Sequence, residues 1–140
     1  MELSAELINQ IAQELEAGMK VYLNKETLEF NSILDWDEIT EQRFWNEEQR
    51  KIEREWKDYI VLTKMDSHEA FRVMVNFIDE VDDPDVKNDL IKILNRKSPF
   101  ANFKAEVESS SQRQKWFDFR RKSYEDYIRL QLEMEDYTGD

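Results

Sequence analysis

The amino-acid sequence predicts an α+β fold that is predominantly helical, with a small three-stranded antiparallel sheet built from an N-terminal hairpin and one further strand. Apolar residues recur at helical spacing over most of the chain. In two short regions, near the N-terminus and around Tyr59, the pattern changes to the alternating or β-branched runs typical of strands. Because no linker, internal repeat or low-complexity segment divides the sequence, we expect residues 1–140 to form a single domain.

The N-terminal part of the chain predicts a helix followed by the hairpin. Apolar residues at helical spacing, with Ser4 placed to cap and Gly18 placed to terminate, predict a helix from about Ala5 to Ala17. Alternating apolar residues then predict two strands that turn near residues 24–26. The β-branched and aromatic run at residues 59–63 suits a third strand beside this hairpin.

The segment between Asp35 and Asp58 is dense in charge. A thin apolar stripe runs through it, and its charged side chains are spaced to pair along one face. This pattern predicts a largely solvated helix, whose stripe consists of Phe44, Trp45, Ile52 and Trp56.

The second half of the chain predicts four more helices. The first starts after Asp66, and its wide apolar stripe predicts a central position in the fold. Asp83 and Ser98, each followed by proline, are placed to cap the next two helices, because proline at the first helical position loses no hydrogen bond. A long final helix with an aromatic side follows the serine triplet and extends towards Gly139.

Composition excludes several protein classes. With 40% hydrophobic and 12% aromatic residues, the chain is too apolar for a disordered tail. It contains no cysteine, which excludes disulfides, thiolate metal sites and a thiol nucleophile. Since there is neither a long apolar run nor a signal-peptide pattern, we expect a cytoplasmic protein without a membrane partner. A net charge of −12 disfavours nucleic acid as a partner.

The residue types that carry catalysis or bind cofactors are scarce. His68 is the only histidine, and no nucleophile-elbow motif accompanies it. Two glycines cannot form a glycine-rich phosphate loop, and the acidic stretch at residues 79–85 lacks the glycine and glutamate of an EF-hand. We therefore expect no catalytic residues, no metal and no other cofactor. Whether the protein is an enzyme stays open, with a non-catalytic protein favoured.

One block of the sequence resembles a known family. The segment SPFANFKAEVESSSQRQKWFDFR resembles the C-terminal signature of a bacterial uncharacterised protein family, number 0158 in its series; the matching residues are Pro99, Phe100, Phe103, Lys104, Trp116, Phe119 and Arg120. Upstream, KVYLNKETLE resembles the early hairpin of that family, and FRVMVNFIDEVDDPDVKNDLIKIL resembles its central helix pair. Relatives often carry glycine where this chain has Leu28. The resemblance implies a shared fold, and it implies no activity, cofactor or catalytic residue.

Charge is distributed unevenly along the chain. Residues 96–122, here called the basic segment, hold eight Lys and Arg against three Asp and Glu, a net charge of +5, so the remaining sequence carries −17. Guanidinium groups match carboxylates and phosphates, and aromatic faces accept planar ligands. The candidate anion- or partner-binding residues are therefore Arg113, Lys115, Trp116, Arg120 and Arg121.

Each of these candidates also has a purely structural interpretation. The cations can pair with acidic helices of the same chain, and the aromatic residues lie near the spacing of a packed core. The adjacent residues Trp116 and Phe117 cannot point in the same direction from one helix, so at least one of them is expected near a surface or groove.

The favoured hypothesis is a non-catalytic interaction or regulatory module that binds another protein through this basic C-terminal patch. The alternative is an enzyme or sensor that binds a phosphorylated small molecule or a nucleotide at Arg113, Lys115 and Arg120. The two differ in partner, which is a protein in the first case and a small anion in the second. The oligomeric state is left open.

Overall fold

The structure, a computed structural model, describes residues 3–34 and 58–138. The predicted fold class is confirmed within these residues. They form five helices and one sheet: α1 (Ala5–Glu16), β1 (Met19–Asn24), β2 (Phe30–Leu34), β3 (Tyr59–Leu62), α2 (Ser67–Ile78), α3 (Pro84–Leu94), α4 (Pro99–Glu108) and α5 (Arg113–Thr138). The helix predicted between Asp35 and Asp58 falls on residues 35–57, outside the described part of the chain.

Contacts divide the chain into two compact units. Unit 1 consists of the chain up to Lys64 together with the chain from Tyr124 onwards, and unit 2 is the continuous stretch Met65–Ser123. Helix α5 therefore contributes its first part to unit 2 and its second part to unit 1. That the whole chain is a single domain stays a prediction.

In unit 1, α1 begins and ends where the sequence predicts. Ser4 Oγ accepts a hydrogen bond from the backbone N–H of Leu7 (3.1 Å), which satisfies one of the unpaired donors of the first turn. Ala17 occupies the C-cap, and Gly18 then adopts φ +89°, a conformation that an L-residue rarely takes. The chain can therefore turn directly from the helix into β1.

The sheet has the strand order β2-β1-β3, and both pairings are antiparallel. In its register Val21 is opposite Ser32 of β2 and Leu62 of β3. The hairpin and the third strand are thus confirmed. Because β1 is central, its residues Val21, Tyr22 and Leu23 are all buried.

The hairpin turn contains a strained residue. Asn24 Oδ1 accepts hydrogen bonds from the backbone N–H groups of Glu26 (2.9 Å) and Thr27 (3.0 Å), which fixes the start of the turn where it was predicted. Leu28 then adopts φ +62°. This left-handed conformation brings Cβ close to the backbone in any residue except glycine. Position 28 is therefore one where glycine would be less strained than leucine.

The core of unit 1 is formed by α1, the sheet and the second part of α5. Its fully buried side chains come from all three elements and include Ile11, Leu15, Leu23, Leu62 and Ile128. Polar contacts accompany this packing. Asn9 Nδ2 donates to Glu125 Oε2 (3.2 Å), and the Gln131 amide bonds both the N–H and the carbonyl of Thr63 (3.3 Å each).

In unit 2, aspartate side chains cap α2 and α3, and for Asp83 this confirms the prediction. Asp66 accepts a hydrogen bond from the backbone N–H of Glu69 (2.8 Å), and Asp83 accepts from the N–H groups of Asp85 (3.0 Å) and Val86 (3.4 Å). The prediction that Ser98 caps α4 with its side chain is wrong. Ser98 lies at the N-cap position in a left-handed conformation (φ 54°, ψ 52°) and makes no side-chain capping bond, because side-chain capping requires the extended backbone region.

Aromatic residues fill the core of unit 2. The Phe77 ring lies 5.2 Å from Trp116, 5.4 Å from Phe119 and 6.4 Å from Phe103, measured between ring centroids. Two of these pairs are edge-to-face, an arrangement that aromatic quadrupoles favour, and the third is tilted. The four rings tie α2, α4 and the first part of α5 together.

Candidate functional site

The five predicted binding residues all lie in the first part of α5, within unit 2. Arg113 and Lys115 are exposed, Arg120 and Arg121 are half-buried, and Trp116 is only 6% exposed. Trp116 packs against Phe77 and Phe103, with ring centroids 5.2 and 5.1 Å apart. The core-packing interpretation is therefore confirmed for Trp116.

Phe117, the neighbour of Trp116, is only half-buried. The Cζ atom of Arg113 is 5.0 Å from the centre of the Phe117 ring, which is a cation–π contact. The two adjacent aromatic residues therefore point in different directions, as expected: Trp116 is buried and Phe117 is half-buried. Phe117 was not among the predicted site residues, although its position four residues after Arg113 places both on one side of a helix.

Helical geometry brings three of the predicted cations to that same side. At about 100° per residue, Arg113, Phe117 and Arg121 follow one another at intervals of one turn, and Arg120 lies next to this line. We call these four residues the α5 flank. Arg120 and Arg121 also take part in interactions within the protein.

Lys115 lies elsewhere on the helix and has an intramolecular partner. Its Nζ is 3.4 Å from Asp82 Oδ2 and donates a hydrogen bond to the backbone carbonyl of Glu80 (3.1 Å). Internal pairing with acidic residues, the alternative interpretation of the basic segment, is thus confirmed for Lys115. Because the pair is exposed, it contributes little to stability.

Gln112 also binds Asp82, the partner of Lys115. Its side chain is buried, and its Nε2 donates to Asp82 Oδ1 (2.9 Å) and to Ser111 Oγ (3.2 Å). The pKa of the Asp82 carboxyl is lowered, first by this hydrogen bond from Gln112 and next by the Lys115 cation. Together these contacts fasten the chain after α2 to the start of α5, which fixes the first turn that carries Arg113.

The α5 flank has the chemistry of a binding surface. Guanidinium groups donate hydrogen bonds to carboxylates or phosphates, but they neither exchange protons near neutral pH nor act as nucleophiles. Among residues 3–34 and 58–138, no group of three or more His, Cys, Asp or Glu side chains is placed to hold a metal ion. No helix within the same ranges has the length and apolarity needed to cross a membrane.

Comparison with known proteins gives one match. The profile of a family described as Uncharacterised protein family (UPF0158) matches residues 4–138. No curated protein matches the chain. No solved structure matches it either. The family match spans nearly the whole sequence and agrees with the resemblance seen in the segment from Ser98 to Arg120. The chain belongs to Uncharacterised protein family (UPF0158), whose function is not characterised.

Proposed function

We propose that the protein is a non-catalytic, cytoplasmic interaction module that docks an acidic protein partner on the α5 flank. The observation that supports this most directly is the exposed Arg113 guanidinium, which lies 5.0 Å from the half-buried Phe117 ring. Stacking on a ring orients a guanidinium while leaving its N–H edge open to a carboxylate. No carboxylate in the described part of the chain pairs with Arg113.

The spread of the cations favours a protein over a single small anion. Arg113 and Arg121 are two turns apart, about 12 Å along the helix axis at 1.5 Å per residue. A phosphate group is too small to contact both, whereas a polypeptide with several carboxylates can. Lys115, which the small-ligand hypothesis also needs, lies away from the α5 flank and is paired with Asp82.

Unit 2, which carries the α5 flank, has no net charge. Met65–Ser123 contains eleven Asp and Glu and eleven Lys and Arg, so this stretch is neutral and the net charge of −12 falls outside it. Long-range repulsion from unit 2 itself is therefore absent. Docking on exposed cations is expected to weaken as ionic strength rises.

The test is affinity capture with three proteins: the wild type, Arg113→Glu and Lys92→Glu. Arg113→Glu reverses the charge that contacts the partner. Because an acidic residue in the first turn interacts favourably with the helix dipole, α5 itself should not be weakened. Lys92→Glu makes the same charge change on an exposed residue of α3 and serves as the control.

We expect one defined partner to be retained by the wild type and by Lys92→Glu, to be lost by Arg113→Glu, and to elute with salt. Equal retention by wild type and Arg113→Glu would refute the α5 flank as the docking surface. In parallel, a rise in the thermal midpoint with nucleotides or phosphorylated metabolites, abolished by Arg113→Glu, would favour the small-ligand hypothesis instead.

A further inference from the structure

Unit 2 carries a second exposed surface, which is apolar and lies between α2 and α4. It consists of Phe71 and Val75 from α2 and Phe100 from α4, and we call it the apolar face. The rings of Phe71 and Phe100 meet edge-to-face with centroids 6.4 Å apart. Val75 is 44% exposed and Phe100 is 42% exposed, so the face is open to solvent.

The periodicity of both helices explains why these residues lie outside the core. Helix α2 buries Met74, Phe77 and Ile78, which leaves Phe71 at the edge of the buried side and Val75 one turn beyond it. Helix α4 buries Phe103 and Val107. Phe100, about one turn before Phe103, lies at the outer edge of the same side of the helix. Two neighbouring helices thus place apolar side chains on a common surface.

Cations border this surface. Arg72 follows Phe71 on α2, and Lys104 lies one turn after Phe100 on α4; both side chains are exposed. Neither forms an ion pair with any residue that the structure describes. Exposed cations of this kind attract carboxylates and repel other cations.

We propose that the apolar face is the docking site for an acidic amphipathic helix of a partner protein. Apolar side chains of such a helix, spaced by three or four residues, would cover Val75 and Phe100, and its flanking carboxylates would pair with Arg72 and Lys104. Symmetric docking of a second copy of this chain is disfavoured, because a two-fold interface would bring two surfaces bordered by the same cations together. The proposal shares no residue with the α5 flank and stands independently of it.

The probe is a fluorescein-labelled designed peptide of about 18 residues, or five helical turns. It carries leucine along one side and glutamate on the others, and a matched peptide carries lysine in place of glutamate. Binding to the full-length protein is measured by fluorescence anisotropy. We expect the acidic peptide to bind, the lysine peptide to bind much more weakly, and the amide NMR shifts caused by the acidic peptide to centre on Phe71, Val75 and Phe100.

Variants then assign the contact. Val75→Glu and the double variant Arg72→Glu, Lys104→Glu should each raise the dissociation constant of the acidic peptide about tenfold or more, the effect of removing one interface anchor. Lys92→Glu, the matched control, should leave it unchanged, as should Arg113→Glu, which separates this proposal from the proposed function. Circular dichroism and the thermal midpoint confirm that every variant folds.

Several results would overturn the proposal. One is failure of the wild type to bind the acidic peptide, and another is equal binding of both peptides. Unchanged affinity for the acidic peptide in both Val75→Glu and the double variant Arg72→Glu, Lys104→Glu would also overturn the proposal. If the chain instead sediments as a dimer that Val75→Glu dissociates, the occupant is a second copy. If it binds vesicles rich in anionic lipid but not the peptide, the apolar face is a membrane contact.

Discussion

Replacing Leu28 by glycine and, separately, by alanine tests the conformation of the hairpin turn. Leu28 is a non-glycine residue with φ +62°, at the end of a turn whose start is fixed by the Asn24 side chain. Both variants remove every side-chain atom of Leu28 beyond Cβ, and they differ from each other only in the Cβ methyl group that alanine keeps. The difference between them reports the backbone conformation at this position.

The expected magnitude follows from two opposing terms. A left-handed conformation costs an L-residue about 1–2 kcal/mol, which glycine avoids. Glycine in turn loses about 0.5–1 kcal/mol more conformational entropy on folding than alanine. The Leu28→Gly variant should therefore exceed Leu28→Ala in free energy of unfolding by about 0.5–1 kcal/mol.

The assay is urea unfolding followed by far-UV circular dichroism, with the same pair of substitutions at Asn88 as a control. Asn88 is exposed in the interior of α3, where alanine should be the more stable by about 1 kcal/mol. The order of stability should thus reverse between the two positions. If alanine is the more stable at position 28 as well, Leu28 does not adopt a left-handed conformation and the reasoning fails.

Three further predictions concern unit 2. Because the pKa of Asp82 is lowered in the folded protein, its stabilising contribution is complete above the unfolded value and is lost as the pH falls through the folded one. The wild type should therefore keep its advantage in unfolding free energy over Asp82→Asn at neutral pH and lose it as the pH falls below the ordinary pKa of an aspartate carboxyl. Asp83→Ala should lower the unfolding free energy by about 1 kcal/mol, whereas Ser98→Ala should leave it nearly unchanged, as measured by urea unfolding, since only Asp83 caps. In the same assay Phe103→Ala should cost about 3–5 kcal/mol and Phe100→Ala much less, because Phe103 is fully buried; similar costs at both positions would contradict the assigned core.

Features governed by neighbouring residues could be predicted from the sequence. Ser4, Asp66 and Asp83 cap their helices because a cap depends only on the residues of the first turn. Ser98 has the same sequence context as Asp83, a polar residue before proline, yet does not cap. Its conformation depends on the route of the chain from α3 to α4, and no local pattern encodes that route.

The candidate site shows the same division between local and tertiary effects. The five predicted binding residues were grouped because they are close along the chain. On the helix they point in different directions. Lys115, two residues after Arg113, faces Asp82 and lies away from the α5 flank. Trp116 is removed from the surface by packing against Phe77 and Phe103, partners on α2 and α4 that periodicity within α5 cannot identify. The spacing of Arg113, Phe117, Arg120 and Arg121 along the predicted helix was available in advance.

The division of the chain into units also determines the order in which they can be completed during synthesis. Unit 2 is one continuous stretch inserted into unit 1, and unit 1 needs residues from both ends of the chain. Its closing contacts, Asn9 with Glu125 and Thr63 with Gln131, require the C-terminal part of α5. On the ribosome, where domains fold as they emerge, Met65–Ser123 is therefore available before unit 1 has its last core residues, Ile128 and Leu132. The first part of the sheet-bearing unit must wait, with its core incomplete, until the segment from Tyr124 onwards has been synthesised.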